Sequence, residues 1–392
     1  MSCPFAATAS ALDLAPLAGP LSEAYPDVVN ARYRSIEDPD TVRAILARPD
    51  VFSPANALST AVEPEPATLR VLARARFALP EVLASASGPA HLEVRRIVAG
   101  FFSPAKVRAQ REPILDRVRG ICADLEPRLR NGESADLATE LAAVIPVEAM
   151  ARLTGVPVPE LGTLKAWSRD SLELFWGWPD AQRQLVLARS AAQYFGWLDA
   201  SVHQAVQRDD GNLYAALHRA GVSEPQIRSL AYFLGIAGQE TTSMLIQTAL
   251  HSALHDHRWE ALAQAGTEEA AAQGLVREVL ARASSVPTWR RIALKDTRIG
   301  DLEFATGEQL VLRLAGGELG AAGDDSLAFG YGIHRCLGAS LARMETELVL
   351  SETARCLPLA VADGPPVPFG HLLSFQAPPA VPITYPAERM LE

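Results

Sequence analysis

The feature that most restricts this chain is the stretch Phe329-Gly330-Tyr331-Gly332-Ile333-His334-Arg335-Cys336-Leu337-Gly338-Ala339, followed at once by the helix-forming run Ser340-Leu341-Ala342-Arg343-Met344-Glu345. Glycines at 330, 332 and 338 let the backbone turn tightly and approach a flat ligand closely. Cys336 stands where that loop enters a helix. There, unpaired N–H groups and the positive end of the helix dipole stabilise a thiolate and lower its pKa. His334 and Arg335 add donors or positive charge nearby. The arrangement suits a thiolate aimed at a metal, the plain alternative being a structural cysteine after a glycine-rich turn.

Composition fits one large body around such a site. The 392 residues, 48% hydrophobic and 21% charged, suffice for a large core and exclude a disordered or fibrous chain. No Gly/Ser-rich or charged linker divides the sequence, which predicts a single domain over residues 1–392. A net charge of −10 argues against nucleic acid or an anionic membrane as partner. The cysteines, Cys3, Cys122, Cys336 and Cys356, show no paired metal-site spacing and fit a reducing cytoplasm. Cys122 and Cys356 sit in apolar surroundings, as core thiols do. The N-terminal stretch lacks a basic segment and is interrupted by Asp13, Pro16 and Pro20 before any ~20-residue span, which predicts an unanchored, cytoplasmic protein.

Along the chain, a helix is expected at Asp40–Ala47. Residues 53–88 are irregular in pattern, with Arg70, Arg74 and Arg76 as a positive cluster whose plain reading is a solvated face. Gly88-Pro89-Ala90-His91 opens a helix on which His91 and Arg95, four apart, project from one face. Amphipathic helices with a break at Gly132 and an exit at Pro157-Val158-Pro159 cover residues 104–160. Trp167, Phe175, Trp176, Trp178, Tyr194, Phe195 and Trp197 then crowd a helix–turn–helix over 165–203, turned at Gly177 and Pro179. Core packing is the default for such a set, and a lid over a flat or aromatic substrate is the functional reading.

Ser223-Glu224-Pro225-Gln226 has the form of a capping box and starts an apolar pattern that runs to about His255. At 1.5 Å per residue this helix would span on the order of 45 Å and cross the centre of the molecule. At its middle Gly235, Ala237, Gly238, Gln239, Glu240, Thr241 and Thr242 lower helix stability without a packing gain, which marks a functional patch or a packing seam. A helix over Glu268–Ala283, the turn Ser285-Val286-Pro287-Thr288-Trp289, the run Arg290-Arg291-Ile292-Ala293 and a strand Glu308–Leu314 follow. Leu372-Leu373-Ser374-Phe375 is the last candidate pocket segment.

The pattern Phe-x-x-Gly-x-x-x-Cys-x-Gly, with His334 two residues before the cysteine and Leu-Ala-Arg after it, resembles the haem-binding loop of the cytochrome P450 family. The resemblance implies a mainly α fold with a small β portion, and haem b seated by Phe329, Gly330, His334 and Gly338. It makes Cys336 the metal ligand, whose electron donation favours O–O cleavage. His91 and Arg95 match the family's propionate-binding pair, and Arg291, in an Arg-x-Ala, is implied as a third propionate donor. Ala237-Gly-x-Glu240-Thr241-Thr resembles the oxygen-binding kink of the family's central helix, so Glu240 and Thr241 would organise proton delivery. By the same likeness Arg74, Trp176, Trp178, Ala237, Val286, Trp289 and Phe375 would line the substrate pocket.

The implied activity is monooxygenation of a small organic molecule, in specialised metabolism, with O2 and electrons from separate ferredoxin and ferredoxin-reductase-type donors. No flavin or iron–sulfur motif is present in the chain itself. Oxidative coupling of an aromatic or small-peptide substrate is the nearer alternative, suggested by the aromatic lid and the three arginines. A haem-binding module without turnover is the more distant one.

Two departures from the family stand out. Its Glu-x-x-Arg pair is absent: Glu278 is followed by Val279, Leu280 and Ala281, and Arg282 comes one residue late, about 100° round the helix. Ala315–Ala328 is short and glycine-rich, with no arginine to complete a Glu-Arg-Arg network. Together these predict a less rigid seat behind the cysteine loop and easier loss of haem.

Overall fold

The computed structural model describes residues 10–265 and 269–386, so Cys3 and Glu268 lie outside the described residues. The elements that frame the site are, in chain order, α1 (Pro39–Leu46), α2 (Pro66–Arg74), α3 (Gly88–Phe101), α4 (Arg111–Arg130), α5 (Ile145–Thr154), α6 (Leu161–Trp176), α7 (Ala181–Arg208), α8 (Glu224–Ala237), α9 (Glu240–His255), α10 (Ala270–Ala283), α11 (Gly317–Ala322) and α12 (Ala339–Cys356). Strands β1 (Arg34–Ile36), β2 (Phe52–Ser53), β3 (Thr288–Ala293) and β4 (Gln309–Arg313) form one sheet in the order β1-β4-β3-β2. The architecture is thus mainly α with small sheets.

Local chemistry sets the element ends. The Asp38 carboxylate accepts the Thr41 N–H at 2.7 Å and Asp180 accepts that of Arg183 at 2.8 Å, each capping a helix start. In the sheet β1 runs parallel to β4, with Arg34 opposite Leu310, while β3 runs antiparallel to β4 and places Arg291 opposite the same Leu310. Two apolar clusters carry most of the packing. One joins α4, α9, α10 and α12 through Ile114, Val118, Leu250, Val279 and Val349. The other joins α6, α7 and α8 through Leu172, Phe175, Leu187, Leu230 and Tyr232.

The structure corrects several expectations. Residues 53–88 are not irregular throughout: Pro66 opens α2, which packs along α7. The long central helix is two helices, interrupted at Gly238 and Gln239. Gln239 departs from helical geometry at φ −125°, ψ −37°. Gly238 is required there, because a Cβ would stand 2.6 Å from the Leu234 carbonyl oxygen and 2.8 Å from Met150 Cε.

The seat behind the cysteine loop is not loose either. The Gly-rich segment after β4 forms α11, whose backbone packs directly on α10: the Gly316 N–H donates to the Ala281 carbonyl at 2.7 Å, and a Cβ on Gly320 would lie 3.3 Å from that same oxygen. Arg313, fully buried, donates to the carbonyls of Leu17 (2.9 Å) and Gly19 (2.6 Å) and to the Glu37 carboxylate (2.7 Å). Glu278 is held by Arg258 at 2.5 Å and, one turn on, by Arg282 at 3.1 Å. Ala281 is itself fully buried, so an arginine side chain there would have to displace its packed neighbours. Among the described residues, no helix is long and apolar enough to cross a membrane.

Candidate functional site

Three backbone hydrogen bonds fold the cysteine loop: Gly330 N–H to Leu327 O (2.7 Å), Arg335 N–H to Gly332 O (3.1 Å) and Cys336 N–H to Phe329 O (2.9 Å). Gly332, at φ +71°, comes so near α1 that a Cβ would touch the Leu46 carbonyl at 3.0 Å. The lead-in is fastened by Asp324 to Arg43 (3.0 Å) and by Asp325 to Arg343 of α12 (2.7 Å). Gly338 is the N-cap of α12, so Cys336 lies just ahead of the helix rather than within its first turn.

The Gly338 and Ala339 N–H groups, with Arg95 and Arg335, favour the anionic sulfur, but burial outweighs them and pushes the Cys336 thiol up. A stable thiolate here calls for a further cation. The residue is nonetheless accessible, because its sulfur opens onto a cavity.

That cavity has a volume of about 230 Å³ and opens to solvent at its mouth. His91, Arg95, Arg291 and His334 converge on its wall, and no acidic side chain among the described residues joins them. Both ring nitrogens of the buried His91, Nδ1 of His334 and Nε of Arg291 have no hydrogen-bond partner. The His91 and His334 rings lie 4.6 Å apart, and His334 Nε2 meets the Ala86 carbonyl at 2.8 Å. Burial lowers the pKa of Arg291 to about 10 and that of His334 to about 4. Buried donors without partners are costly unless a ligand satisfies them. The donor set would fit the carboxylates of a flat cofactor, and Cys336 in the same cavity could hold its metal.

On the opposite wall the α8–α9 interruption presents Ala237, Gly238 and Thr241. The Thr241 hydroxyl donates to the Ala237 carbonyl at 2.7 Å, taking up an acceptor freed by the break. Glu240 points away from the cavity into a polar cluster. Its carboxylate lies 3.1 Å from Lys165 Nζ and accepts from Gln239 Nε2 at 3.0 Å. Gln239 Nε2 also donates to Ser168 Oγ (3.0 Å) and to the Gly235 carbonyl (2.9 Å). Lys165 also reaches Gln239 Oε1 and lies 3.1 Å from Ser243 Oγ. Burial lowers the Lys165 pKa, against the opposing pull of Glu240.

Of the pocket residues expected from sequence, Ala237, Val286, Trp289 and Phe375 line the cavity. Arg74, Trp176 and Trp178 do not. Trp176 is buried behind the wall, its ring 5.0 Å from Phe375 and 6.3 Å from Trp289, with the Arg290 guanidinium 5.4 Å over it. Trp178 packs on His371, 5.6 Å away. Arg70, Arg74 and Arg76 are exposed, so the cluster is a solvated face. Phe329, Gly330, His334, Cys336 and Gly338 all reach the cavity.

Sequence reasoning passed over Lys165, although Lys165 and Ser168, three apart among the apolar residues of α6, were a polar pair on an inward stripe. It also passed over Arg290, which is fully buried and donates to Ser59 O (2.8 Å) and Ala57 O (2.9 Å), tying the segment after β2 to the sheet.

No protein-family model matches the chain. It is 30% identical over 285 residues to cytochrome P450-SU2 of Streptomyces griseolus, an alignment covering 69% of this chain and 68% of that protein. Over 303 residues it is 30% identical to the biflaviolin synthase CYP158A1 of Streptomyces coelicolor, covering 71% and 70%. Among solved structures, cytochrome P450 CREJ in complex with (4-ethylphenyl) dihydrogen phosphate matches with a TM-score of 0.81 and 26% identity, over 90% of this chain and 92% of that one.

Proposed function

The chain belongs to the cytochrome P450 family and is a haem-thiolate oxidoreductase of the monooxygenase type, and from that premise we propose that it oxidises a compact, uncharged, largely apolar or aromatic molecule. The observation that carries this reading is the cavity lining, in which Leu83, Phe233, Leu234, Val286, Trp289 and Phe375 supply apolar surface and no acidic side chain is present among the described residues. A cationic substrate would find no carboxylate partner there, and the cationic groups His91, Arg95, Arg291 and His334 are assigned to the cofactor.

The cofactor is haem b held without covalent attachment, since no Cys-x-x-Cys-His motif occurs in the sequence. When bound, the haem iron supplies oxygen activation, which an axial thiolate promotes. The Cys336 sulfur would hold the metal, and His91, Arg95, Arg291 and His334 would hold the propionates. Apolar side chains of the wall exclude water around the substrate. The Thr241 hydroxyl holds a proton at the cavity surface, and Glu240, held by Lys165 and Gln239 on the far side of the α8–α9 break, would have to turn inward to deliver protons to it. Electrons would come from ferredoxin and ferredoxin-reductase-type carriers in the cytoplasm.

A second reading is oxidative coupling of two aromatic molecules. The paired aromatic side chains Trp289 and Phe375, 6.2 Å apart at right angles, favour it, as does likeness to a relative named biflaviolin synthase. The small-peptide form of that reading loses support, because the arginine cluster that suggested it is exposed away from the cavity.

Two measurements test the proposal. The ferrous–CO complex is expected to show the red-shifted Soret band of thiolate ligation, and Cys336→Ala to abolish it; a histidine-type band in the wild type ends the reading. Product mass spectrometry on a panel of neutral and anionic compounds is expected to show a gain of one oxygen on neutral substrates. A joined dimer with no added oxygen would establish coupling instead.

A further inference from the structure

A smaller cavity of about 50 Å³ lies between α5, α6, α7, α8, the short helix Leu213–Arg219 and residues 156–159. Its outer lining includes Val158, which keeps 44% of its surface exposed, and its inner lining includes Leu213 and Ala231, each 1% exposed. It is therefore a crevice that runs from the surface toward the centre of the molecule. Met150 and Leu234 line both this crevice and the main cavity, so their side chains stand between the two. Met150 Cε lies 2.8 Å from where a Cβ on Gly238 would stand, which sets the thioether against the α8–α9 interruption itself. Unbranched and freely rotating, a thioether is the apolar side chain that yields most easily.

The polar groups that reach the crevice are few and mostly committed. The Thr154 hydroxyl donates to the Met150 carbonyl at 2.7 Å. The Gln239 amide is spent on Ser168 Oγ at 3.0 Å, the Glu240 carboxylate at 3.0 Å and the Gly235 carbonyl at 2.9 Å. A water would be left with the hydroxyls of Tyr194 and Tyr214, the low end of the about two to four partners it needs. The space is several times the ~10–15 Å³ that one water requires, and apolar voids of this kind stay dry and take up apolar atoms instead.

We infer that this crevice is an entry route for dioxygen, separate from the mouth that admits the organic substrate, with the Met150 thioether as its gate. Dioxygen is small, uncharged and apolar, which matches the wall. A substrate filling the main cavity of about 230 Å³ would obstruct that cavity's own mouth, whereas a path ending at the helix break lets the gas arrive afterwards. The identity of the gas rests on the monooxygenase reading above; the capacity of the crevice for an apolar atom does not.

Xenon is the probe. Crystals of the haem-loaded protein pressurised with xenon are expected to show an anomalous peak in the crevice, between Met150 and Ala231. This wild-type map decides by itself. A crevice without xenon, or one filled by an ordered water on Tyr194 or Tyr214, overturns the inference. Flash photolysis of the ferrous–CO complex supplies a second readout. CO that escapes into the crevice and returns without reaching solvent adds a slow internal rebinding phase. That phase is expected to be largely lost under xenon and in Ala151→Phe, whose ring would fill the crevice from the half-buried side of α5. Met150→Ala, which opens the gate, is expected to enlarge it. An internal phase unmoved by xenon and by both variants overturns the route. The Soret band of the same samples tests the haem-thiolate reading separately: a histidine-type band ends that reading and leaves the xenon map to judge the crevice.

Discussion

Lys165 Nζ and the Glu240 carboxylate face each other at 3.1 Å with both side chains largely removed from water, at 11% and 8% exposure. A buried pair of this kind is costly to break from one side, because the remaining charge is stranded. Lys165→Met is expected to lower stability by about 3 kcal/mol. It should also slow product formation by up to roughly 10²-fold, as expected for loss of a proton-transfer group. The double change Lys165→Met with Glu240→Gln should recover most of the stability and none of the turnover. Urea unfolding and steady-state rates on the three proteins check this; recovery of both together would make the pair structural only.

Thr241 acts one step nearer the cavity. Its hydroxyl already satisfies the Ala237 carbonyl at 2.7 Å. Thr241→Ala therefore removes a proton-holding group and exposes an unpaired acceptor, while the wall around it stays. Substrate and haem binding should persist, with more peroxide released per electron consumed, and Thr241→Ser should restore coupling. Equal peroxide yields from all three proteins would assign the proton to another group.

The fold and most of the cofactor face were legible because they depend on short-range pattern. The glycines around Cys336 and the His91–Arg95 spacing each favour a local geometry that the sequence shows directly. The break between α8 and α9 was only half legible. Composition marked the small-residue patch, but what requires glycine there includes Met150, 2.8 Å from where a Cβ on Gly238 would stand, and Tyr194, whose hydroxyl would lie 1.8 Å from a Cβ on Gly235. Met150 and Tyr194 come from distant segments. Lys165 was missed for the same reason: one lysine on an amphipathic helix is ordinarily solvated, and only the position of α6 against α8 and α9 turns it inward. Trp176 misled in the opposite sense, since aromatic density marks packing and pocket wall alike.

Position 281 offers a test of the packing behind the cysteine loop. Installing the family's arginine through Ala281→Arg would put a long charged side chain at a position that is 0% exposed, on a turn of α10 whose carbonyl is already bound to the Gly316 N–H. Glu278, moreover, is already engaged by Arg258 and Arg282. Overpacking alone costs ~1–3 kcal/mol, and an unpaired buried guanidinium adds to it. The variant should melt lower and lose haem faster than the wild type. A higher melting temperature would mean that the segment is looser than its contacts indicate.

Acid sensitivity should carry the signature of buried histidines, and the pKa of His251, like that of His334 of the cavity, is lowered to about 4 by burial. His251 on α9 is fully buried, its Nε2 accepts the Val367 N–H at 3.2 Å, and its ring lies 4.6 Å from that of His255, tilted by 50°. Burial, with a smaller contribution from His255, lowers its pKa from 6.5 to about 4, partly offset by Asp256. The folded state therefore keeps this ring neutral while the unfolded chain protonates it. Stability from this group is complete above pH 6.5 and falls as the pH drops towards 4, by up to about 3 kcal/mol across the window. Glu345 acts in the opposite direction. Buried without a partner for Oε1, its carboxyl is pushed up to about 8, so its contribution is complete below 4.5 and lost as the pH rises through 8. Denaturant midpoints between pH 4 and 8 should show His251→Gln, which keeps an acceptor for Val367, flattening the acid limb only. Glu345→Gln should flatten the alkaline limb only. An acid limb unchanged by His251→Gln would place the proton uptake on other groups.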